Sequence, residues 1–514
     1  MTTAALPLLR SLAIYGICVP LALVLGYLIS TPYDLTSFTV VGLVLFFLLI
    51  PLLLRWHHAW LIASWNMSVV LFFLPGHPMI WLPLAWTSLA ISVLHYILNR
   101  NRKFLQVPEL TKPLILLALV ALVTAKFTGG FGVKAFGSDT FGGKRYLMIL
   151  TSIAGYFAIT SQRIPPRRVP LYVALYFIGT ATIAVGELAV VANPAFYFIF
   201  LIFPVGDTGL QAIAGGPGAP TGFGARLGGF AAAGAAAYLL MLCRYGIQEL
   251  FSWRRPGRLL LFLFFLVVAM LGGFRSTIIM FMLTFGILFY LEGLTRSPLL
   301  PAFLLVTLLV GAAVVPLADR LPIAIQRSLS FLPLQVDPVV KATAQASNEW
   351  RLEMWKHVLP QVPEYLVLGK GYAFTAKDLA MARLTNTPQS AAEGAELTGD
   401  YHNGPLSVIV PFGVPGVIAF LWFWWACWKV LRQNYLFGDP AFRRVNTFLL
   451  AYFIAKAVGF LFIFGGFYSD LASFTGLVAL SVSINGGMAR KPEVAQPKIV
   501  LNRFKLQPPR PVSA

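Results

Sequence analysis

The sequence predicts an all-α polytopic membrane helix bundle of about 12–14 spans, with one long extracytoplasmic loop containing amphipathic helices. Three observations carry this. Of 514 residues, 58% are apolar and only 11% charged, with a mean hydropathy of +0.77; a soluble globule would carry roughly 25% charged residues. Apolar runs recur at close to the ~20 residues that a spanning helix needs, and the ten-residue alternation of a transmembrane β-barrel is absent. The basic residues gather in alternate loops.

Candidate spans lie near 11–29, 36–54, 59–74, 80–98, 113–127, 146–162, 170–191, 228–243, 259–273, 276–291, 298–317, 404–430, 446–464 and 471–487. The first run lacks a small-residue cleavage pattern and is read as a retained anchor. Segment 59–74 is the weakest, being short and followed by Pro75-Gly76. The basic loops contain Arg100, Arg102, Lys103 and Lys112, then Arg163, Arg167 and Arg168, then Arg244, Arg254, Arg255 and Arg258, then Lys429, Arg432, Arg443 and Arg444. Together with the basic tail they are cytoplasmic by the positive-inside rule. The chain thus divides into N-terminal helices (1–210), helices bearing two outer arginines (211–318), an extracytoplasmic loop (319–402), C-terminal helices (403–487) and a cytoplasmic tail (488–514). A net charge of +20 follows the membrane and does not imply nucleic acid. Cys18, Cys243 and Cys427 lie in apolar runs and give neither a disulfide framework nor a metal spacing.

In the long loop, acidic and basic residues nearly cancel. Within it, Asn348 to Val362 reads as an amphipathic helix with Trp350, Met354, Trp355 and Val358 on one side, expected to lie flat on the outer leaflet. Two other outer loops, Thr128–Arg145 and Gly215–Gly229, are glycine-rich, and Ala195–Pro204 reads as an interfacial segment.

On this topology Arg226, Arg275 and His402 each stand just before a helix that runs from outside to inside. Helix N-termini carry free N–H groups and partial positive charge, and arginine forks hold phosphate oxygens bidentately, so these residues compose an anion site. Lys144 and Arg145 precede another inward-running helix and add to the same field. His57, His58, His77, His95 and His357 read as structural. Gly142-Gly143-Lys144 fails the phosphate-loop spacing and has no preceding strand. Glu393, Glu396 and Asp400 match no standard metal spacing, so they read as a solvated acidic loop and no metal is expected. Trp422, Trp424, Trp425 and Trp428 read as an aromatic belt. Pro405, Pro411 and Pro415 are expected to bend the helix that follows His402.

The string His402-Asn403, nine residues, Gly413-Val414-Pro415-Gly416 resembles the signature of the O-antigen ligase and polymerase superfamily, membrane glycosyltransferases that use polyprenyl-diphosphate-linked sugars. Arg226 in its small-residue run, Arg275-Ser276 at an outer turn, Asn348 to Trp355 as N-x-x-R-x-x-x-W, and Leu368-Gly369-Lys370-Gly371 follow the same order, over roughly 220–485. The resemblance implies diphosphate binding by Arg226 and Arg275 and a catalytic part for His402, with Arg351 and Asn403 in support. It leaves the N-terminal third without an assigned role. It also implies a polyprenyl-diphosphate-linked saccharide donor, a glycan or glycolipid acceptor, no cofactor, a place in the bacterial inner membrane, and polysaccharide-assembly proteins as partners.

The chemistry is coherent on physical grounds. Sugar transfer from a lipid diphosphate must stabilise a departing diphosphate and remove a proton from an acceptor hydroxyl. Arginines and helix N-termini suit the first task. A histidine suits the second, either as base or as donor to the diphosphate. Ligase and polymerase activities both fit. A lipid-linked saccharide transporter fits less well, because transport calls for charge near the bilayer midplane.

Overall fold

The computed structural model describes residues 15–491 apart from 17, 28–34, 100–103, 134–136, 207–209, 211–225, 379, 381–393, 395 and 398. The small-residue run Gly222–Ala225, Glu393 and the tail beyond Lys491 lie outside the described residues. In chain order the helices are α1 (Cys18–Tyr27), α2 (Leu35–Ser64), α3 (Trp81–Leu98), α4 (Pro108–Thr128), α5 (Gly143–Ile159), α6 (Val169–Ile178), α7 (Ile183–Ala192), α8 (Gly228–Leu250), α9 (Pro256–Met270), α10 (Arg275–Leu291), α11 (Leu299–Val314), α12 (Ile323–Leu329), α13 (Pro338–Val358), α14 (Gly404–Phe437), α15 (Arg443–Phe462) and α16 (Phe467–Asn485). Among the described residues, 9 helical segments are long and apolar enough to cross a membrane, and α1, α9 and α10 are shorter apolar helices. The protein is an all-α, multi-pass membrane bundle.

One expected pair of spans is corrected. Segments 36–54 and 59–74 are not two helices: α2 runs unbroken from Leu35 to Ser64, with Pro51 inside it. The run Arg55-Trp56-His57-His58, polar enough to read as a loop, lies within the bundle because both imidazoles have buried partners. His57 Nδ1 is 2.8 Å from Ser88 Oγ, and His58 Nε2 is 2.8 Å from the Ile159 carbonyl. Leu61, Ile62 and Trp65 then bury this end of the helix, and the chain turns back through a Val70–Met79 bridge to α3.

The core joins the two ends of the sequence. Helix α5 packs against α16 and α3, and α4 packs against α14. Trp65 Nε1 donates to the Ala472 carbonyl at 2.9 Å, and Gly476 lies against its indole. At the opposite end from the site described below, Asn434, Asn446, Asn485 and Ser481 hydrogen-bond to one another and satisfy their own buried amides. Helix α11, by contrast, buries none of its residues within the chain.

Helix α14 is broken, and the break explains the glycine spacing. Pro415 has no N–H to offer the Pro411 carbonyl, and at Gly413 the backbone leaves helical geometry (φ 61, ψ −162). The freed groups are satisfied by the Leu366 to Gly371 segment. Lys370 N donates to the Val410 carbonyl at 2.8 Å, Gly371 N to the Pro411 carbonyl at 3.0 Å, and Val414 N to the Leu366 carbonyl at 2.7 Å. A Cβ on Gly413 would meet the Leu366 carbonyl oxygen at 2.5 Å, and one on Gly369 would overlap the Pro411 carbonyl. Gly413→Ala combines that clash with a positive φ, so it is expected to destabilise the protein by roughly 2 kcal/mol or more. A thermal unfolding series in detergent would check this, and an unchanged midpoint would refute the account.

The helix expected on the outer leaflet is also corrected. It is longer (α13, Pro338–Val358), and protein covers its apolar face. Met354 and Val358 form a small core with Tyr401, Leu406 and Val410, joined by Trp350, Trp355 and Val362. Helix α14 supplies the other half of that surface, so the amphipathic stripe docks across its start.

Candidate active site

His402 immediately precedes the cap of α14. The side chain of Asn403 is that cap, its Oδ1 accepting from Leu406 N at 3.0 Å, which meets one of the helix's otherwise unpaired N–H groups. Gly404 follows because a Cβ there would overlap the Phe460 carbonyl of α15. The backbone of His402 is thereby held at φ 50, a region that non-glycine residues seldom occupy. Its ring meets Trp350 edge-on at 5.1 Å and Phe464 at 4.8 Å. Burial, reinforced by the nearby Arg351, lowers its proton affinity below the ordinary histidine value, while Asp400 pulls weakly the other way.

The motif N-x-x-R-x-x-x-W lies along one side of α13. Asn348 Oδ1 accepts from the Arg275 guanidinium at 3.1 Å, and Trp355 Nε1 donates to the Tyr401 carbonyl at 2.9 Å. Arg351 stands between them in sequence, near enough to Arg275 and His402 for each charge to be felt. One helix face therefore ties the arginine at the start of α10 to the histidine before α14.

Arg226 reaches across to the Gly272-Gly273-Phe274 turn. Its guanidinium donates to the Gly273 carbonyl at 3.2 Å and lies 5.3 Å from the Phe274 ring centre. Burial lowers its pKa, and so does the repulsion of Arg327 and then of Arg275. Among the described residues, Arg226, Arg275, Arg327 and Arg351 form no ion pair with a carboxylate. Cationic groups gathered this closely repel one another, and an anion relieves that repulsion. Seven buried side-chain polar atoms lack a hydrogen-bond partner among the described residues, and six belong to this region: Arg145 Nε, Arg226 Nε, Trp350 Nε1, Arg351 Nε, Tyr372 OH and His402 Nδ1. Such atoms are rare in folded proteins, and each calls for a physical account such as an ordered water, an ion or a chemical role.

Arg145 is placed differently from the other arginines. It lies 3.6 Å from Asp400, whose Oδ1 accepts from Tyr468 OH at 2.8 Å, and its guanidinium is 5.4 Å and 5.1 Å from the ring centres of Tyr372 and Tyr468. Its charge is compensated, and Lys144 beside it is exposed. This gives the N-terminal third a structural part at this end. Arg145 pairs with the Asp400 carboxylate two residues before His402, Tyr146 OH accepts from Tyr372 N at 3.2 Å, and β1 (Thr140–Phe141) pairs antiparallel with β2 (Phe374–Thr375). Glu396 is likewise engaged, 2.9 Å from Lys370 Nζ and 3.3 Å from His357 Nε2. Among the described residues no cluster of three or more His, Cys, Asp or Glu is arranged to hold a metal ion.

Sequence reasoning missed Arg327, the Trp350 and Phe464 edges, and the Arg145–Asp400–Tyr468 cluster. Arg327 carried no local signal. It comes to Gly273 only because Ser328 Oγ donates to the Met270 carbonyl at 2.8 Å and docks α12 on the end of α9.

Comparison with curated proteins finds no match to the chain. The sequence model of the O-antigen ligase family matches residues 260–421. That stretch runs from α9 through Arg275, Arg327, Arg351 and His402 to the broken half of α14, so it contains most of the residues gathered above. Through this segment the chain is similar to the O-antigen ligase family, which supports a part in O-antigen-type polysaccharide assembly at a membrane.

Proposed function

We propose that the protein is an O-antigen ligase-like glycosyltransferase. It moves a saccharide from a polyprenyl diphosphate carrier to a sugar acceptor at the outer face of the bacterial inner membrane. The observation that carries this reading is a set of arginines, Arg226, Arg275 and Arg351, that have no carboxylate partner among the described residues and lead to a histidine biased to the neutral form. In the reaction, an acceptor hydroxyl oxygen attacks the anomeric carbon and the bond from that carbon to the phosphate oxygen breaks. The hydroxyl proton passes to His402, and polyprenyl diphosphate departs with its charge held by Arg226 and Arg275. The basic loops at the opposite end support a cytoplasmic position for that end.

A polymerase that extends a polysaccharide uses the same chemistry, so the distinction is made on products. In a deletion strain, free long chains lacking their anchor support the ligase reading, whereas unpolymerised single repeats reject it in favour of the polymerase. A second test concerns metals, which many glycosyltransferases use to neutralise the leaving diphosphate. Arginines supply that charge here, and Glu396 and Asp400 are occupied by Lys370, His357 and Arg145. The purified enzyme is expected to keep its activity in excess EDTA. Complete loss, restored by magnesium or manganese, would overturn metal independence.

A further inference from the structure

Arg327 belongs to no motif in the sequence, yet it borders the site. It lies in the last turn of α12, a helix held down by Ser328 on Met270. Gln326 fixes the approach, donating to the Asp319 and Leu321 carbonyls at 3.0 and 2.8 Å and accepting from Asp337 N at 2.8 Å. Arg226 and Arg327 flank the same glycine: a Cβ on Gly273 would lie 3.4 Å from Arg226 Nε and 3.4 Å from Arg327 Cβ. Four hydrogen bonds thus position a residue that has no carboxylate partner of its own among the described residues.

The neighbours form a sequence of charges. Arg226 bonds the Gly273 carbonyl two residues before Arg275, Arg275 bonds Asn348 on α13, and Trp350 of the same helix meets the His402 ring. Arg327 and Arg226 are therefore at the end remote from His402. In the proposed reaction the sugar-bearing phosphate must face His402, so the other phosphate of the carrier falls toward Arg226 and Arg327.

We propose that Arg327 is a third diphosphate-binding residue, paired with Arg226 around Gly273, and that it selects a polyprenyl diphosphate over a polyprenyl monophosphate by holding the phosphate remote from the sugar. This rests on the diphosphate-site reading of Arg226 and Arg275 and deepens it. A guanidinium forked onto a phosphate makes charge-assisted hydrogen bonds, and a monophosphate offers nothing at that distance.

The test uses the full chain in detergent and measures inhibition of transfer by undecaprenyl diphosphate and by undecaprenyl monophosphate. Arg327→Gln is expected to weaken diphosphate inhibition about tenfold, the loss of one charge-assisted contact. It should raise the donor KM by a similar factor and leave monophosphate inhibition and kcat nearly unchanged. Arg327→Lys, which keeps the charge and guards against misfolding of the neutral variant, should fall between. Arg226→Gln serves as the reference. If it weakens diphosphate inhibition while Arg327→Gln does not, the assignment of Arg327 is wrong and the underlying site stands. If neither variant changes inhibition, both readings fail. Equal weakening toward both inhibitors, or a loss confined to kcat, would also overturn the selective role.

Discussion

His402→Ala is expected to abolish transfer while leaving the protein inserted and folded. Proton removal by a positioned side chain contributes roughly 10²–10⁴-fold to such reactions. The fold should survive because, among the described residues, no hydrogen bond to the His402 ring holds an element in place, and Asn403 caps α14 with its own side chain. Wild-type turnover in a well-expressed variant would remove His402 from the mechanism. The pH dependence is a sharper check. Burial and Arg351 lower the imidazole's proton affinity, so the free enzyme keeps a neutral base until the pH falls below the ordinary histidine value of about 6.5. Activity should be lost as pH falls through that lowered pKa and be fully present above it. Bound diphosphate favours the imidazolium and raises the pKa, so the acid limb of kcat should lie at higher pH than that of kcat/KM. A limb on which activity is lost as pH rises past the histidine range would instead identify His402 as a cationic donor to the diphosphate.

Arg275→Lys and Arg226→Lys are each expected to lower kcat/KM by roughly 10²-fold, the scale seen when one preorganised donor to a developing anion is removed. Charge is preserved in both variants, so the loss would report geometry. Arg226 lies against the Phe274 ring and bonds the Gly273 carbonyl while keeping Nε free of partners among the described residues, and Arg275 is oriented by Asn348. A lysine ammonium reproduces neither the planar stacking nor the fork. Donor competition assays on the two variants give the readout, and unchanged donor affinity in both would contradict the anion site.

The class of fold was legible in the amino-acid sequence alone, and so were several residues of the candidate site. Hydrophobic runs near the length of a bilayer report spanning helices directly, because lipid requires every backbone polar group in a span to be satisfied within the protein. Arg226, Arg275 and His402 were legible for a related reason: a cation beside a helix start, in a loop outside the basic set, has no ordinary topological role. What the sequence could not report was contact between distant segments. The His57-His58 pair looked like a loop because its partners, Ser88 and the Ile159 carbonyl, come from other helices. The stripe of Trp350, Met354 and Val358 looked like a lipid-facing surface because periodicity records that a face is apolar and not what covers it. The sequence marked Arg145 as a cation before a helix but could not show that Asp400 lies beside it. These cases, and the place of Arg327, depend on the three-dimensional packing of distant segments. A side chain's charge belongs to the sequence, but whether that charge is compensated depends on neighbours brought from elsewhere in the chain.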